Sequence, residues 1–303
     1  MNPTLTRITI GAGLIAGTVA ILLGDVTIAD WAGIPIAPGF WVLLAGALLI
    51  GCWEFFRMLR GRNLPCRPVT GMVFVGLMLA SAWLEIHRPW QILPWLYKHG
   101  LELYLLLIIA LVFTTFLAEI FHVERANRDP LRALASVGWT VLVVLTVGLL
   151  GVFLAKVRFL AQDPMEGLLY LALTLGVVKG SDIGAYAIGS SLGRHPLVPK
   201  LSPRKTVEGL LGAIVAGTAV AVIIGAGLGR FAWYQMLVFG AAVSISGVLG
   251  DLAESLMKRA CGVKDSGRIP GFGGALDILD SMLSASPVAY LLLVVLTEPA
   301  AGA

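Results

Sequence analysis

Carboxylates that could bind a divalent metal ion are concentrated near the end of the chain, at Asp251, Asp265, Asp277 and Asp280. Their hard oxygens are the ligands that Mg²⁺ prefers, and substrate phosphates usually complete its coordination. Asp251 opens a stripe at helical i, i+3, i+4 and i+7 spacing that continues with Glu254, Ser255 and Lys258. Charges at the end of a membrane helix are costly unless they are paired or functional. The pattern predicts a metal site, and ion pairs of Asp251 or Glu254 with Lys258 are the alternative.

A second polar stretch predicts a binding site for an anion. Ser202 and Pro203 are expected to open a helix, with Ser202 as the N-cap and Pro203 at the first helical position. Lys205, Thr206 and Glu208 would then lie in the first turns, where a helix N-terminus can hold an anion. Upstream, Asp182 and Tyr186 are four residues apart and would share one helix face. The alternative is an ordinary helix cap in a positively charged loop.

A glycine-rich stretch between Lys264 and Ser281 is the third motif that could contribute to a site. Gly271, Gly273 and Gly274 would let the backbone approach a phosphate closely. A glycine-rich turn followed by helix-capping aspartates is the simpler alternative. Carboxylates, cations and a glycine loop together are the components of a phosphoryl- or nucleotidyl-transfer site. The chain contains no Walker A or Rossmann pattern and suggests no Ser-His-Asp arrangement.

The elements that must position these residues are predicted to be membrane helices. The 303 residues are 58% hydrophobic and only 13% charged, whereas soluble domains carry about 25% charged residues. A bilayer-spanning helix needs about 20 apolar residues. On that rule we predict an all-α polytopic membrane protein with about nine spans, near residues 8–24, 38–56, 69–86, 101–121, 133–155, 165–188, 208–229, 233–256 and 282–297.

The distribution of positive charge predicts the orientation of these spans. With the N-terminus in the cytoplasm, 17 of the 22 Lys and Arg residues lie on the cytoplasmic side and 5 on the other, as the positive-inside rule requires. The long polar segments 179–209 and 251–281 then face the cytoplasm. We expect residues 1–160 to span, pack and anchor, and residues 161–303 to form the catalytic membrane region. No basic cluster indicates nucleic acid, and three cysteines are too few for a disulfide framework.

These motifs, in this order, resemble the phosphatidate cytidylyltransferase (CDP-diacylglycerol synthase) family over about residues 175–285. The family signature is matched by Ser255, Lys258-Arg259, Lys264-Asp265, Pro270-Gly-Phe-Gly-Gly274 and Asp277-Ile-Leu-Asp280. Upstream, Asp182, Ala185-Tyr186 and Ser202-Pro-Arg-Lys-Thr-Val-Glu-Gly209 also match. Phe272 replaces the family's His, Ile278 replaces its Arg, and the segment before Pro270 is one residue short. These departures could mark altered substrate preference or a weakened enzyme.

The resemblance implies an enzyme that makes CDP-diacylglycerol and diphosphate from CTP and phosphatidate. It implies Mg²⁺ bound by Asp251 and Asp277, with Asp280 and Asp265 as further ligands, and allows a second monovalent cation such as K⁺. Lys258, Arg259 and Lys264 would neutralise phosphates. Substrate would also be held by Asp182, Ser202, Lys205, Thr206, Gly273 and Gly274, and Glu208 would orient its neighbours.

The resemblance also implies partners and a location. The lipid substrate and other membrane lipids would reach the site from the bilayer, and the protein would be a homodimer in the inner (plasma) membrane with its active site facing the cytoplasm. Three alternatives remain open from the sequence. They are a CTP-dependent enzyme acting on another lipid, a transporter whose intramembrane acids line a route, and a family member without activity.

Overall fold

The structure is a computed structural model that describes residues 3–32, 37–87, 103–127, 129–267 and 273–297. Within these ranges nine helices are long and apolar enough to cross a membrane, which confirms the predicted all-α, multi-pass class. They are α1 (Pro3–Ala32), α2 (Pro38–Gly61), α3 (Pro68–His87), α4 (Leu103–Ala126), α5 (Pro130–Arg158), α6 (Pro164–Leu192), α7 (Val207–Leu228), α8 (Trp233–Ala260) and α9 (Ala275–Thr297). Each overlaps one predicted span. The largest differences are at α1, which ends at Ala32 rather than near residue 24, and at α9, which begins at Ala275 rather than near residue 282.

The chain forms two compact units that are interleaved along the sequence. The first contains residues 1–152 and 261–278, and the second contains residues 153–260 and 279–303. Two of the three crossings lie within continuous helices, because α5 and α9 each pass from one unit to the other, and the third lies at the end of α8. The first unit therefore includes a late segment that begins directly after α8.

Buried polar contacts join the helices of the first unit. Asp25 of α1 accepts hydrogen bonds from the first free N–H groups of α2, at Gly39 (2.9 Å) and Phe40 (2.7 Å). This contact supplies the cap that α2 lacks locally, since its own N-cap residue makes no side-chain bond. Arg67, which directly precedes α3, forms a 2.7 Å ion pair with the buried Glu119 of α4. Membrane helices need such internal partners because lipid offers none.

Helix packing in the second unit depends on small residues. A Cβ at Gly180 of α6 would lie 2.7 Å from the Val220 side chain of α7. A Cβ at Gly240 of α8 would lie 2.5 Å from Cα of Thr218, again on α7. Both distances are shorter than atoms tolerate, so these positions accept only glycine without movement. Helices α6, α7 and α8 thus approach backbone to backbone, as membrane helices with small interfacial residues do.

The segment between α6 and α7 corrects one prediction. Ser202 does not cap a helix. Pro196–Val198 (β1) and Ser202–Thr206 (β2) form a two-stranded antiparallel hairpin. Pro203 fits a strand of this small hairpin because a strand edge does not need its missing N–H. Helix α7 begins only at Val207, with Thr206 as the N-cap that accepts a hydrogen bond from the Gly209 amide (3.1 Å).

Candidate active site

Among the residues that the structure describes, one group of three carboxylates could hold a metal ion. Asp251 and Glu254 of α8 and Asp280 of α9 each offer an oxygen, and the three oxygens lie within 4.8 Å of one another. Glu254 is buried, and the other two are partly exposed. We call Asp251, Glu254 and Asp280 the acidic cluster. Hard oxygen donors at this spacing fit Mg²⁺ better than a soft metal.

Glycines of α8 place the two helices of the acidic cluster side by side. A Cβ at Gly250 would lie 2.5 Å from Cβ of Ser284 and 2.8 Å from the carbonyl oxygen of Asp280. One turn earlier, a Cβ at Gly247 would meet Ser281 at an ordinary 3.7 Å. The Ser246 hydroxyl also donates to the Ser284 carbonyl (2.6 Å). The tight approach at Gly250 therefore sets the spacing between Asp251 and Asp280.

Lysines from three elements surround the acidic cluster. Lys205 of β2 forms a 2.6 Å ion pair with Asp251, and Lys258 pairs with Glu254 one turn away on α8. Lys179 of α6 interacts electrostatically with Asp280 and forms an exposed 3.0 Å pair with Asp182. The site is thus a small patch of alternating charge. Such a patch can hold both a cation and the phosphates that bind it.

The hairpin residues have distinct roles in the structure. Lys205 reaches the acidic cluster, whereas Thr206 caps α7. Glu208 accepts hydrogen bonds from the backbone amides of Arg194 (3.1 Å) and His195 (3.2 Å), so it orders the turn before β1. Ser202 pairs with Val198 in the ladder. From α8, the Arg259 side chain donates to the Leu201 carbonyl in the hairpin turn (3.3 Å).

Asp277 has a set of contacts within the first unit. Its Oδ2 atom accepts hydrogen bonds from the Ser266 amide (2.8 Å), the Ser266 hydroxyl (2.8 Å) and the Gly274 amide (2.7 Å). Gly273 has a φ of +82°, and a Cβ there would lie within contact distance of the same carboxylate. Asp277 therefore joins the start of α9 to the segment that contains Ser266. Lys264 and Asp265 are exposed in that segment.

A cavity of about 590 Å³ adjoins the same segment. Its lining includes Arg57 and Arg62 from the end of α2, together with Asp265 and Ser266. The Arg57 side chain donates to the Ser266 carbonyl (2.7 Å). Gly271 and Phe272, part of the predicted glycine loop, lie outside the described residues, so their predicted roles stay predictions.

Sequence reasoning missed two carboxylates. Glu254 was interpreted only as part of a charged stripe, although it belongs to the acidic cluster; its i+3 spacing from Asp251 was the available signal. Glu54 of α2 was missed completely, and it accepts hydrogen bonds from the Ser266 hydroxyl and from the Leu276 amide of α9. A carboxylate in an apolar helix was the only signal in the sequence for Glu54.

Comparisons of the sequence with known proteins point to one family. The sequence model of the Cytidylyltransferase family matches residues 6–296. A phosphatidate cytidylyltransferase of Mycobacterium leprae is 32% identical over 284 residues, which are 92% of this chain and 86% of the relative. One from Chlamydia pneumoniae is 30% identical over 86% of this chain and 83% of the relative. A third, from Bacillus subtilis, is 40% identical over 52% of this chain and 58% of the relative.

Proposed function

The chain belongs to the cytidylyltransferase family, and from that premise we propose that it is a phosphatidate cytidylyltransferase. It transfers the cytidylyl group of CTP to phosphatidate and releases diphosphate, yielding CDP-diacylglycerol. The observation that carries this proposal is the similarity to relatives of that name over most of the chain. The acidic cluster and its lysines supply groups suited to the reaction.

The reaction needs charge neutralisation more than it needs a base. An oxygen of the phosphatidate phosphate forms a bond to the α-phosphorus of CTP, and the bond from that phosphorus to the β-phosphate oxygen breaks. The attacking phosphate monoester is already anionic near neutral pH, so no side chain must remove a proton from it. Positioning the two anions in line is the main task of the protein. The replacement of the family histidine by Phe272 is therefore compatible with activity.

The acidic cluster fits Mg²⁺, since three carboxylate oxygens lie within 4.8 Å of one another. We propose Asp251, Glu254 and Asp280 as its ligands; the predicted ligands Asp277 and Asp265 stay predictions to be tested by substitution. Bound there, the ion would neutralise charge on the CTP phosphates. Lys205, which pairs with Asp251, would turn to a phosphate when the ion occupies the carboxylates. Lys258, Arg259 and Lys264 are proposed to bind the remaining phosphate charge, and K⁺ is proposed as a second ion.

The location and assembly are also proposals. The excess of positive charge supports a site on the cytoplasmic face of the inner membrane, where CTP is available. Phosphatidate would enter from the bilayer, because withdrawing an acyl chain costs about 0.8 kcal/mol per CH₂. We propose a homodimer by resemblance to the family. Cysteine labelling from each side of sealed vesicles and mass determination in detergent test these two points.

Purified protein mixed with CTP, phosphatidate and Mg²⁺ tests the function. We expect CDP-diacylglycerol and diphosphate in equal amounts, and loss of both products in Asp280→Asn. Asp163→Asn is the matched control, because Asp163 caps α6 outside the acidic cluster and asparagine caps equally well. Absence of product from the wild-type protein would contradict the proposed reaction. Full activity in Asp280→Asn would contradict the proposed metal ligands alone.

A further inference from the structure

A buried carboxylate of α2 lies against the segment that carries Asp277. Glu54 is 4% exposed, and its Oε2 atom accepts hydrogen bonds from the Ser266 hydroxyl (3.0 Å) and the Leu276 amide (3.0 Å). The Ser266 hydroxyl also lies 2.8 Å from Oδ2 of Asp277. Ser266 therefore stands between two carboxylates, one from α2 and one from α9. We call Glu54, Ser266, Leu276 and Asp277 the Ser266 junction.

Two glycines, Gly267 and Gly274, pack directly against the Glu54 carboxylate. A Cβ at Gly267 would fall on Oε1 of Glu54, and a Cβ at Gly274 would fall on its Oε2. The Cβ at Gly267 would also lie 2.5 Å from Cα of Gly274. The Glu54 carboxylate thus occupies the space that side chains at Gly267 and Gly274 would fill. Arg57, one turn along α2, adds a 2.7 Å hydrogen bond to the Ser266 carbonyl.

An ordinary packing role does not account for this carboxylate. A charged side chain within a membrane-spanning segment is expensive, so an apolar residue would serve packing better. Glu54 instead satisfies polar groups on both sides of residues 268–272: Ser266 precedes them and Leu276 follows them. Its two bonds fix the distance between the segment with Lys264 and Asp265 and the first turn of α9.

We propose that Glu54 is a positioning residue of the catalytic site: through the Ser266 junction it holds Asp277 and the Lys264-Asp265 segment in place for the nucleotide phosphates. This proposal rests on the proposed function. Glu54 itself touches no substrate in it. Its contribution is to restrict the Ser266 segment before CTP binds, so that binding costs less ordering.

Glu54→Gln tests the proposal, with Glu119→Gln as the matched control. Glu119 is similarly buried, with 3% of its surface exposed. It also accepts a hydrogen bond from a serine hydroxyl and pairs with an arginine, but these partners are Ser136 and Arg67. We expect Glu54→Gln to lower kcat/KM for CTP about tenfold, chiefly through KM. Glu119→Gln should retain the wild-type KM even if it unfolds at a lower temperature.

Hydrogen–deuterium exchange measures the junction without reference to activity. Peptides that contain Ser266 or Leu276 should exchange faster in Glu54→Gln than in wild type or Glu119→Gln. Unchanged exchange would overturn the proposal, and so would faster exchange with wild-type kinetics. If the wild-type protein makes no product from CTP and phosphatidate, the proposed function fails and the catalytic part of this proposal fails with it. The exchange result then still decides whether Glu54 orders the segment.

A double substitution separates action through Ser266 from a general effect. Ser266→Ala and Glu54→Gln should each cost about tenfold in kcat/KM, as loss of one charged hydrogen bond does. If Glu54 acts through Ser266, kcat/KM of the double variant should be no lower than that of the less active single variant. Losses that multiply to about 100-fold would overturn this route.

Discussion

Replacing Gly250 by alanine should pull the acidic cluster apart. The new Cβ would lie 2.8 Å from the Asp280 carbonyl and 2.5 Å from Cβ of Ser284, whereas ordinary contact begins near 3.4 Å. Helices α8 and α9 would have to separate by about 0.6–0.9 Å to relieve both contacts. Metal sites tolerate errors of only about 0.2 Å in ligand distance, and Mg²⁺ is strict in its geometry. The separation is therefore several times the tolerance of the proposed site.

Gly247→Ala is the matched control for this perturbation. Gly247 faces α9 one turn earlier, and its Cβ would meet Ser281 at 3.7 Å, which is ordinary contact. The two variants add the same methyl group to the same helix face and differ only in the available space. We expect Gly250→Ala to lose about 1–3 kcal/mol of unfolding free energy through overpacking, and Gly247→Ala to lose little.

The assay is a Mg²⁺ titration of CDP-diacylglycerol formation in detergent, together with thermal unfolding. Gly250→Ala should raise the Mg²⁺ concentration at half-maximal rate about tenfold or more, because Asp280 is displaced from the position that the proposed site needs; tenfold corresponds to about 1.4 kcal/mol of binding. Gly247→Ala should match the wild-type titration. If Gly250→Ala also matches it, the contact between α8 and α9 does not set the geometry of the metal site.

Three further predictions follow from individual contacts. Asp25→Ala should cost about 2 kcal/mol of unfolding free energy, because two backbone N–H groups at the start of α2 lose a charged acceptor; thermal unfolding measures this, and turnover at low temperature should not change. Lys205→Met removes the cation paired with Asp251 and should raise KM for CTP about tenfold. Lys205→Arg keeps a cation there and should raise KM less. Equal KM values in the two variants would contradict the assigned role. Burial raises the pKa of the Cys261 thiol, which lowers its thiolate fraction near pH 7.5, so maleimide should label the more exposed Cys66 first and both equally after denaturation.

The sequence predicted the helices well because their signal is local. Runs of about 20 apolar residues are set by bilayer thickness, and each predicted span falls on an observed helix. The prediction was wrong at Ser202, where both a helix cap and a strand satisfy the local chemistry of Ser-Pro. The hairpin partner, Pro196–Val198, decided between them. Thr206, another good cap, was available only four residues later.

The candidate site was only partly predictable for a related reason. Asp251 and Asp280 were found because their motifs are short and ordered along the chain. Glu254 joined them only once α8 and α9 were placed against each other at Gly250. Glu54 and Ser266 are 212 residues apart in sequence, and no local pattern links an isolated glutamate to a serine at that distance. Contacts of this kind require the tertiary structure.

The distance between Glu54 and its partners has a consequence for how the protein is made. Helix α2 enters the membrane during synthesis long before residues 261–278 leave the ribosome, and its glutamate has no Ser266 or Leu276 to bind during that interval. During that interval the carboxylate needs other polar partners, because lipid offers none. A chain stopped before residue 261 would lack both partners, so its Glu54 carboxylate would never gain the bonds to Ser266 and Leu276.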